Sequence, residues 1–386
     1  MRPRAARLPD RVPVMCQLAL GHYFLQAGRD ATDVWHDNDV FADALVALQR
    51  RYRFDGILVN LPGRDPEWRN AIISVEPRSS GRVIHWRGGY FTVVPADENP
   101  YVCLEATGRP ATVLFDAVDP AALYYVEPHD SAGTTSPSSW GFDRLPAVAG
   151  DRFFPPWHWD GLKRVRALAP DVSLHGEVFS PFSQLLELVG CSEGLLAMML
   201  HPAKTHECLA RLSEGAVTLG RGHFAAGADA VLISSAYAGA AFLSRAHYET
   251  FVLPYERRVV RGLKDAAPDR PVYTHTCGAI GDRLDLLEAT GTDGIDTLDP
   301  PPLGTTDLAE AKRRLGLRVF IKGNVNPVDA VLNGSAEMCY RDACERIAIA
   351  KEGGGYILST ACSVPPHAPP ENILALTRAA EDTGWY

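Results

Sequence analysis

From Asp151 onward, stretches with apolar residues at helical spacing alternate with short, unbroken runs of β-forming residues. The helical period predicts helices over residues 159–168, 183–200, 202–225, 244–263, 282–289, 308–315, 335–351 and 371–380. Between them, residues 172–177, 228–234, 271–275, 294–297, 318–321 and 355–358 read as strands. These runs are continuous rather than alternating, the pattern of strands covered on both faces, as in a parallel sheet. Repeated strand–helix units over this length favour a closed (β/α)8 TIM-type barrel over an open sheet.

The first 150 residues are less regular. Residues 12–20 and 56–61 supply two further strands, with a helix at 39–52 between them. Residues 82–105 are rich in β-formers and contain Gly88-Gly89, which predicts a hairpin inserted over the barrel mouth. Residues 131–139 are rich in Ser, Thr, Gly and Pro and read as a loop. No internal repeat interrupts the picture. The expectation is one α/β domain over 1–386, a single distorted (β/α)8 barrel, with residues 63–150 as an N-terminal capping insertion.

Composition narrows the class. Across 386 residues, 46% are hydrophobic and 22% charged, so the chain can bury a core without disulfides or metal staples. A net charge of −9 offers no basic surface for phosphate backbones, which excludes nucleic acid as an expected partner. Arg2, Arg4, Arg7 and Arg11 precede an apolar run, the order found in export signals. Pro13 and Gln17 interrupt that run and no small-residue cleavage site follows, so a first strand behind a basic tail is the reading. No stretch approaches the ~20 apolar residues of a membrane span. A cytoplasmic setting is expected, where the eight cysteines stay reduced and can act as ligands or nucleophiles.

The most informative segment is Tyr273-Thr274-His275-Thr276-Cys277-Gly278, where a strand gives way to a helix. On extended backbone, positions i and i+2 face the same side, so His275 and Cys277 converge. Cys362 follows a later strand in the matching place, at the barrel rim where active sites are built. One His and two Cys are the ligands of a catalytic zinc with its fourth position open. The opposing reading, an accidental H-x-C and a buried packing thiol, stays open on spacing alone.

Several segments together resemble the uroporphyrinogen decarboxylase superfamily: Thr274-His275-Thr276-Cys277-Gly278, Gly291-Thr292-Asp293-Gly294-Ile295-Asp296, Asp299-Pro300-Pro301-Pro302-Leu303-Gly304 and Asp307-Leu308-Ala309-Glu310-Ala311-Lys312. Gly323-Asn324-Val325-Asn326-Pro327, Gly354-Gly355-Tyr356-Ile357-Leu358, Cys362-Ser363-Val364-Pro365-Pro366 and Pro370-Glu371-Asn372-Ile373 complete the set. The resemblance implies a distorted (β/α)8 barrel. The departures matter as much. Decarboxylases of this superfamily carry an Arg-rich glycine motif near the N-terminus, where this chain has Leu20-Gly21-His22-Tyr23. Their catalytic aspartate after the second strand has no counterpart in Ile57-Leu58-Val59-Asn60-Leu61, and Cys362 stands at their last-strand histidine. The chain therefore looks like the zinc-dependent, corrinoid-linked methyltransferase branch. That branch includes methylcobamide:coenzyme M enzymes and enzymes that demethylate methoxylated or methylated substrates.

By that resemblance His275, Cys277 and Cys362 are the zinc ligands. No D-x-H-x-x-G cobalamin-binding motif is present, so the corrinoid (cobalamin) comes on a separate partner protein, with a small methyl donor or acceptor as substrate. A homodimer is also implied. Glu177 is a candidate fourth ligand or proton donor, with an ion-paired carboxylate as the plain alternative. Asn324 is a candidate for orienting substrate, or a turn residue. Ser235 and Tyr237 are candidates for the pocket lining, with plain turn residues as the alternative, and Asp296 and Asp299 either hold His275 from behind or cap turns. Trp159, with Trp157, His158, Trp86 and Tyr90, forms either an aromatic wall or plain packing. His22 reads as a core histidine, and Cys16, Cys103, Cys191, Cys208, Cys339 and Cys344 as packing thiols. Three other functions compete with the methyltransferase: a decarboxylase-like lyase, a corrinoid-independent thiol methyltransferase, and a non-catalytic zinc barrel that binds a partner.

Overall fold

The computed structural model describes residues 8–108, 113–127, 153–316 and 318–386. In chain order, β1 (Gly56–Val59) is followed by β2 (Ile72–Arg78), β3 (Gly81–Trp86), β4 (Tyr90–Pro95) and β5 (Tyr101–Leu104). Then come β6 (Ser173–Phe179), β7 (Ala230–Ser234), β8 (Val272–Thr276), β9 (Gly294–Thr297), β10 (Phe320–Val325) and β11 (Tyr356–Thr360). β1 and β6 to β11 pair in parallel, each with its successor, as one seven-stranded sheet with helices between the strands.

The eighth place is taken by the N-terminal segment. On the β11 side, Leu358 N donates to Pro13 O and Met15 N donates to Leu358 O; on the β1 side, Asp55 N donates to Val14 O. These bonds close the curled sheet into a barrel. The strand expected over 12–20 is reduced to isolated bridges at Val14–Leu358 and Leu18–Val364. Pro13 has no N–H to give to a ladder, and a helix already begins at Leu20.

Two apolar layers hold the barrel. Residues from alternate strand positions, among them Met15, Leu58, Leu232 and Tyr273, fill the interior. A far larger cluster joins the outer strand faces to the helices, as continuous apolar strands require. Two helices expected as single pieces are broken. Residues 183–200 form Pro181–Val189 and Cys191–Leu200, which meet at 111°. Gly190 makes that corner at φ 87°, a conformation that other residues adopt only under strain. Residues 244–263 form Arg245–Phe251 and Leu253–Ala266, with Pro254 in the first turn of the second piece.

The hairpin expected around Gly88-Gly89 is β3 with β4, and β2 to β5 form a four-stranded antiparallel sheet. It leaves the chain after the C-terminal end of β1, and its Asp97 is 2.7 Å from His367 Nε2 in the loop beyond β11. Trp68, Trp86 and Tyr90 pack with Ile84 and Val94 as this sheet's own core, so Trp86 and Tyr90 serve packing there. The loop expected at 131–139 lies outside the described residues. Among the described residues, no single helix is long and apolar enough to cross a membrane.

Candidate metal centre

His275 lies on β8 and Cys277 just beyond it, and Gly278 turns the chain away at φ 77°. Cys362 follows the end of β11. The ligand atoms of the three residues all lie within 4.8 Å of one another. His275 Nε2 is 3.3 Å from Cys277 Sγ, and the sulfurs of Cys277 and Cys362 are 3.8 Å apart and unbonded. Zn–S and Zn–N bonds of ~2.3 and ~2.0 Å in a tetrahedron place such donors about 3.5–3.8 Å apart. The His275–Cys277 and Cys277–Cys362 separations therefore match those of donors sharing one zinc ion, and the third donor pair lies within 4.8 Å. Among the described residues, no other three His, Cys, Asp or Glu side chains converge in this way.

The charges favour a cation. The hydrogen bond from Cys277 holds Cys362 well below the usual thiol range against the cost of burial, with His275 assisting. Cys277 is driven the other way, first by its bond to the Cys362 thiolate and then by burial. Burial opposes charge on His275, but Asp296 and Cys362 outweigh it and raise the imidazole to about 10. The cluster thus holds protons that a cation would displace.

Behind His275 stands a fixed carboxylate. Asp296 Oδ2 is 3.2 Å from His275 Nδ1, and Asp296 Oδ1 accepts from Lys322 Nζ at 2.9 Å. Thr297 N also donates to Oδ1, at 2.9 Å. Burial would raise Asp296, yet Lys322 and His275 hold it down at about 2. A carboxylate only accepts, so Nδ1 carries the proton and Nε2 faces the sulfurs. Asp299 follows the turn-capping alternative: it accepts from Gly278 N at 2.6 Å and pins the loop that carries Cys277.

The remaining sequence candidates are spread around the rim. Glu177, on β6, is buried, and its Oε2 has no hydrogen-bond partner. Burial pushes its carboxyl up to about 7, against the pull of His275 and Ser234. Asn324, on β10, donates through Nδ2 to Leu298 O at 2.9 Å, while its Oδ1 is buried without a partner. Ser235 is fully buried and donates to Ser180 Oγ at 3.1 Å. Tyr237 donates to Glu187 Oε1 at 2.6 Å. Trp159 stands apart from the cluster, with its ring against Phe154 and His158 at the start of the helix Asp160–Leu168. His22 is a core histidine, bonded to Tyr52 Oη at 2.8 Å and Pro366 O at 2.9 Å. The six other cysteines are unpaired and buried or half-buried.

Two features escaped the sequence reading. Lys322 looks like a strand-end lysine in Phe320-Ile321-Lys322, and only strand register shows it opposite Asp296. A narrow cavity beside Glu177 is lined by Asn60, Glu127, His158 and His223. His223 Nε2 is 2.9 Å from Glu177 O, across a helix-to-strand contact that no local pattern announces. Burial depresses both imidazoles, His223 to about 4 and His158 well below its ordinary value, so they are neutral at pH 7.

Comparison with known proteins bears on the fold and the family. Curated relatives include uroporphyrinogen decarboxylases of Crocosphaera subtropica, 31% identical over 47% of this chain, and Microcystis aeruginosa, 34% identical over 45%. These alignments take in 48% and 46% of those proteins, so the chain spans about half the length of the curated relatives it matches. A solved methyltransferase from Methanosarcina mazei superposes over 98% of this chain and 96% of its own, with a TM-score of 0.69 at 17% identity, which establishes a shared fold. The uroporphyrinogen decarboxylase (URO-D) family model matches residues 141–383, which include every member of the His–Cys–Cys cluster. With the barrel, the rim motifs and this match in agreement, the chain belongs to the uroporphyrinogen decarboxylase family.

Proposed function

We propose that the chain is a zinc-dependent methyltransferase that moves a methyl group between a small substrate and a corrinoid carried on a separate protein. The observation that carries this reading is the convergence of His275, Cys277 and Cys362 at the barrel rim, their ligand atoms all within 4.8 Å of one another. When bound there, zinc supplies a Lewis acid that holds a thiol as thiolate or stabilises a departing alkoxide. The chain's own residues do the rest. Asp296 fixes the tautomer of His275, and Gly278 with Asp299 fixes the loop of Cys277. Glu177, titrating near neutrality, holds a proton at Oε2 for a leaving oxygen. Asn324 Oδ1 and Asn60 Oδ1, both buried without partners, accept from donor groups of the substrate. Of the cap expected over residues 63–150, the antiparallel sheet β2 to β5 serves in this reading as a cover over the mouth, tied down by Asp97 and His367.

A second reading, decarboxylation of a porphyrinogen, draws on the names of the curated relatives. Against it, the position after β1 carries Asn60 rather than a carboxylate that could gather pyrrole N–H groups. The test is direct. Purified protein is expected to hold stoichiometric zinc by elemental analysis. It is also expected to transfer methyl from methylcobalamin to a thiol, or from a methoxylated compound to cob(I)alamin, followed by the corrinoid absorbance. Absence of zinc, or methyl transfer absent with zinc bound, would overturn the reading. Turnover of uroporphyrinogen would install the second.

A further inference from the structure

The strand register sets three charged or ionisable side chains in one row. His275 on β8 is the Cα partner of Asp296 on β9, and Asp296 is the Cα partner of Lys322 on β10. Lys322 and Asp296 side chains are 3% and 2% exposed, so this pair sits inside the barrel rather than at its wet rim. Burying a lysine and an aspartate is costly, and replacing such a pair with apolar residues is often neutral or better for stability. Stability alone therefore gives weak grounds for the pair. Its geometry gives a stronger one. Lys322 Nζ and Thr297 N both hold Oδ1, at 2.9 Å each, which leaves Oδ2 turned to His275 Nδ1. Thr297 itself has φ 86° and Leu298 φ 53°, so the backbone after Asp296 is bent into the left-handed region that these residues ordinarily avoid. Without Lys322, Oδ1 would keep a single donor and the carboxylate would be free to rotate away from the imidazole.

We propose that Lys322 is a positioning residue for the metal centre: it anchors Asp296 so that His275 presents Nε2 toward Cys277 and Cys362. The inference rests on the zinc reading above and assigns a role within it to a residue that touches neither metal nor substrate. Outer partners of metal ligands typically govern affinity by about 10–100-fold. Lys322→Met should weaken zinc binding by about that factor, measured by competition with a chromophoric chelator. Cobalt substituted for zinc should show altered ligand-field bands in the variant, a signature that general destabilisation would not produce. Because Lys322→Met strands the Asp296 charge, the double variant Lys322→Met/Asp296→Asn is the companion, with no buried charge left unpaired. It should fold, by circular dichroism and thermal melting, and still bind zinc weakly.

Wild-type zinc affinity and an unchanged cobalt spectrum in either folded variant would overturn the role of Lys322 while leaving the zinc centre standing. Wild-type protein that binds no zinc would overturn both. Weak binding in both variants, with Lys322→Arg recovering part of the affinity, would support the proposal.

Discussion

The two sides of the barrel mouth are built on opposite principles. In the network behind His275, on β8 to β10, every polar atom of Asp296 and both ring nitrogens of His275 have partners, and it runs on to Lys322 and Thr297. Thr276 Oγ1 and Asn324 Oδ1, on the same strands, stand outside it without partners. On the β1 and β6 side, Asn60 Oδ1, Glu177 Oε2 and His223 Nδ1 are buried without partners. Unsatisfied buried polar atoms cost about 1–3 kcal/mol each, so a fold rarely gathers them without a use. The saturated side holds its atoms still, as a metal requires. The unsaturated side keeps hydrogen-bonding capacity in reserve, as a substrate requires.

The largest expected effect breaks the saturated side. Cys277→Ala or Cys362→Ala should remove zinc and lower methyl transfer by about a thousandfold, since a Lewis acid is worth several kcal/mol to the transition state. Elemental analysis together with the corrinoid assay checks this; a zinc-free variant with retained turnover would make the site structural. Next comes Asp296→Asn, which leaves Lys322 as an uncompensated buried cation. A loss of about 3–5 kcal/mol is expected in urea unfolding, and a loss below ~1 kcal/mol would show that the pair is solvated.

The unsaturated side should answer to pH. Glu177 titrates near 7 in the fold because of burial, above the ordinary value of 4.5. The folded state then binds more protons than the unfolded chain between those values, so its stability falls as pH rises through that window. Above pH 7 the penalty is complete, of the order of a few kcal/mol. Glu177→Gln should therefore be more stable than wild type above pH 7, with the difference vanishing below pH 4.5; parallel stability profiles would contradict it. The smallest effect belongs to Asn60→Ala. Removing an atom with no partner should cost under ~1 kcal/mol of stability while raising KM for a hydrogen-bonding substrate. An unchanged KM would place Asn60 outside the substrate's reach.

This contrast also explains what the sequence could disclose. His275 and Cys277 sit two apart where β8 ends, so local geometry announces them, and Cys362 is found past the matching end of another strand. The strand runs and most helices follow from periodicity, because continuous apolar stretches have few alternatives inside a barrel. Lys322 was invisible because its meaning lies in register with β9, a relation between strands that no single segment carries. The corner at Gly190 was missed because an apolar period continues through it, and only the left-handed φ of that residue turns the helix. The saturated side is legible since its residues are of rare ligating types. The unsaturated side uses common ones, such as Asn60 and Glu177, whose significance is burial.

The hydrogen bonds between Pro13, Met15 and Leu358 tie the start of the chain to its last strand. Contacts of such long sequence separation form late, after the entropy of a very large loop has been overcome. Cys362 follows the same strand, so the donor cluster can assemble only when the final staves of the barrel have been laid. During synthesis, His275 and Cys277 leave the ribosome well before their third partner exists. On the zinc reading proposed above, metal capture is a terminal step of maturation, and a nascent or truncated barrel would carry at most a two-donor precursor of the site.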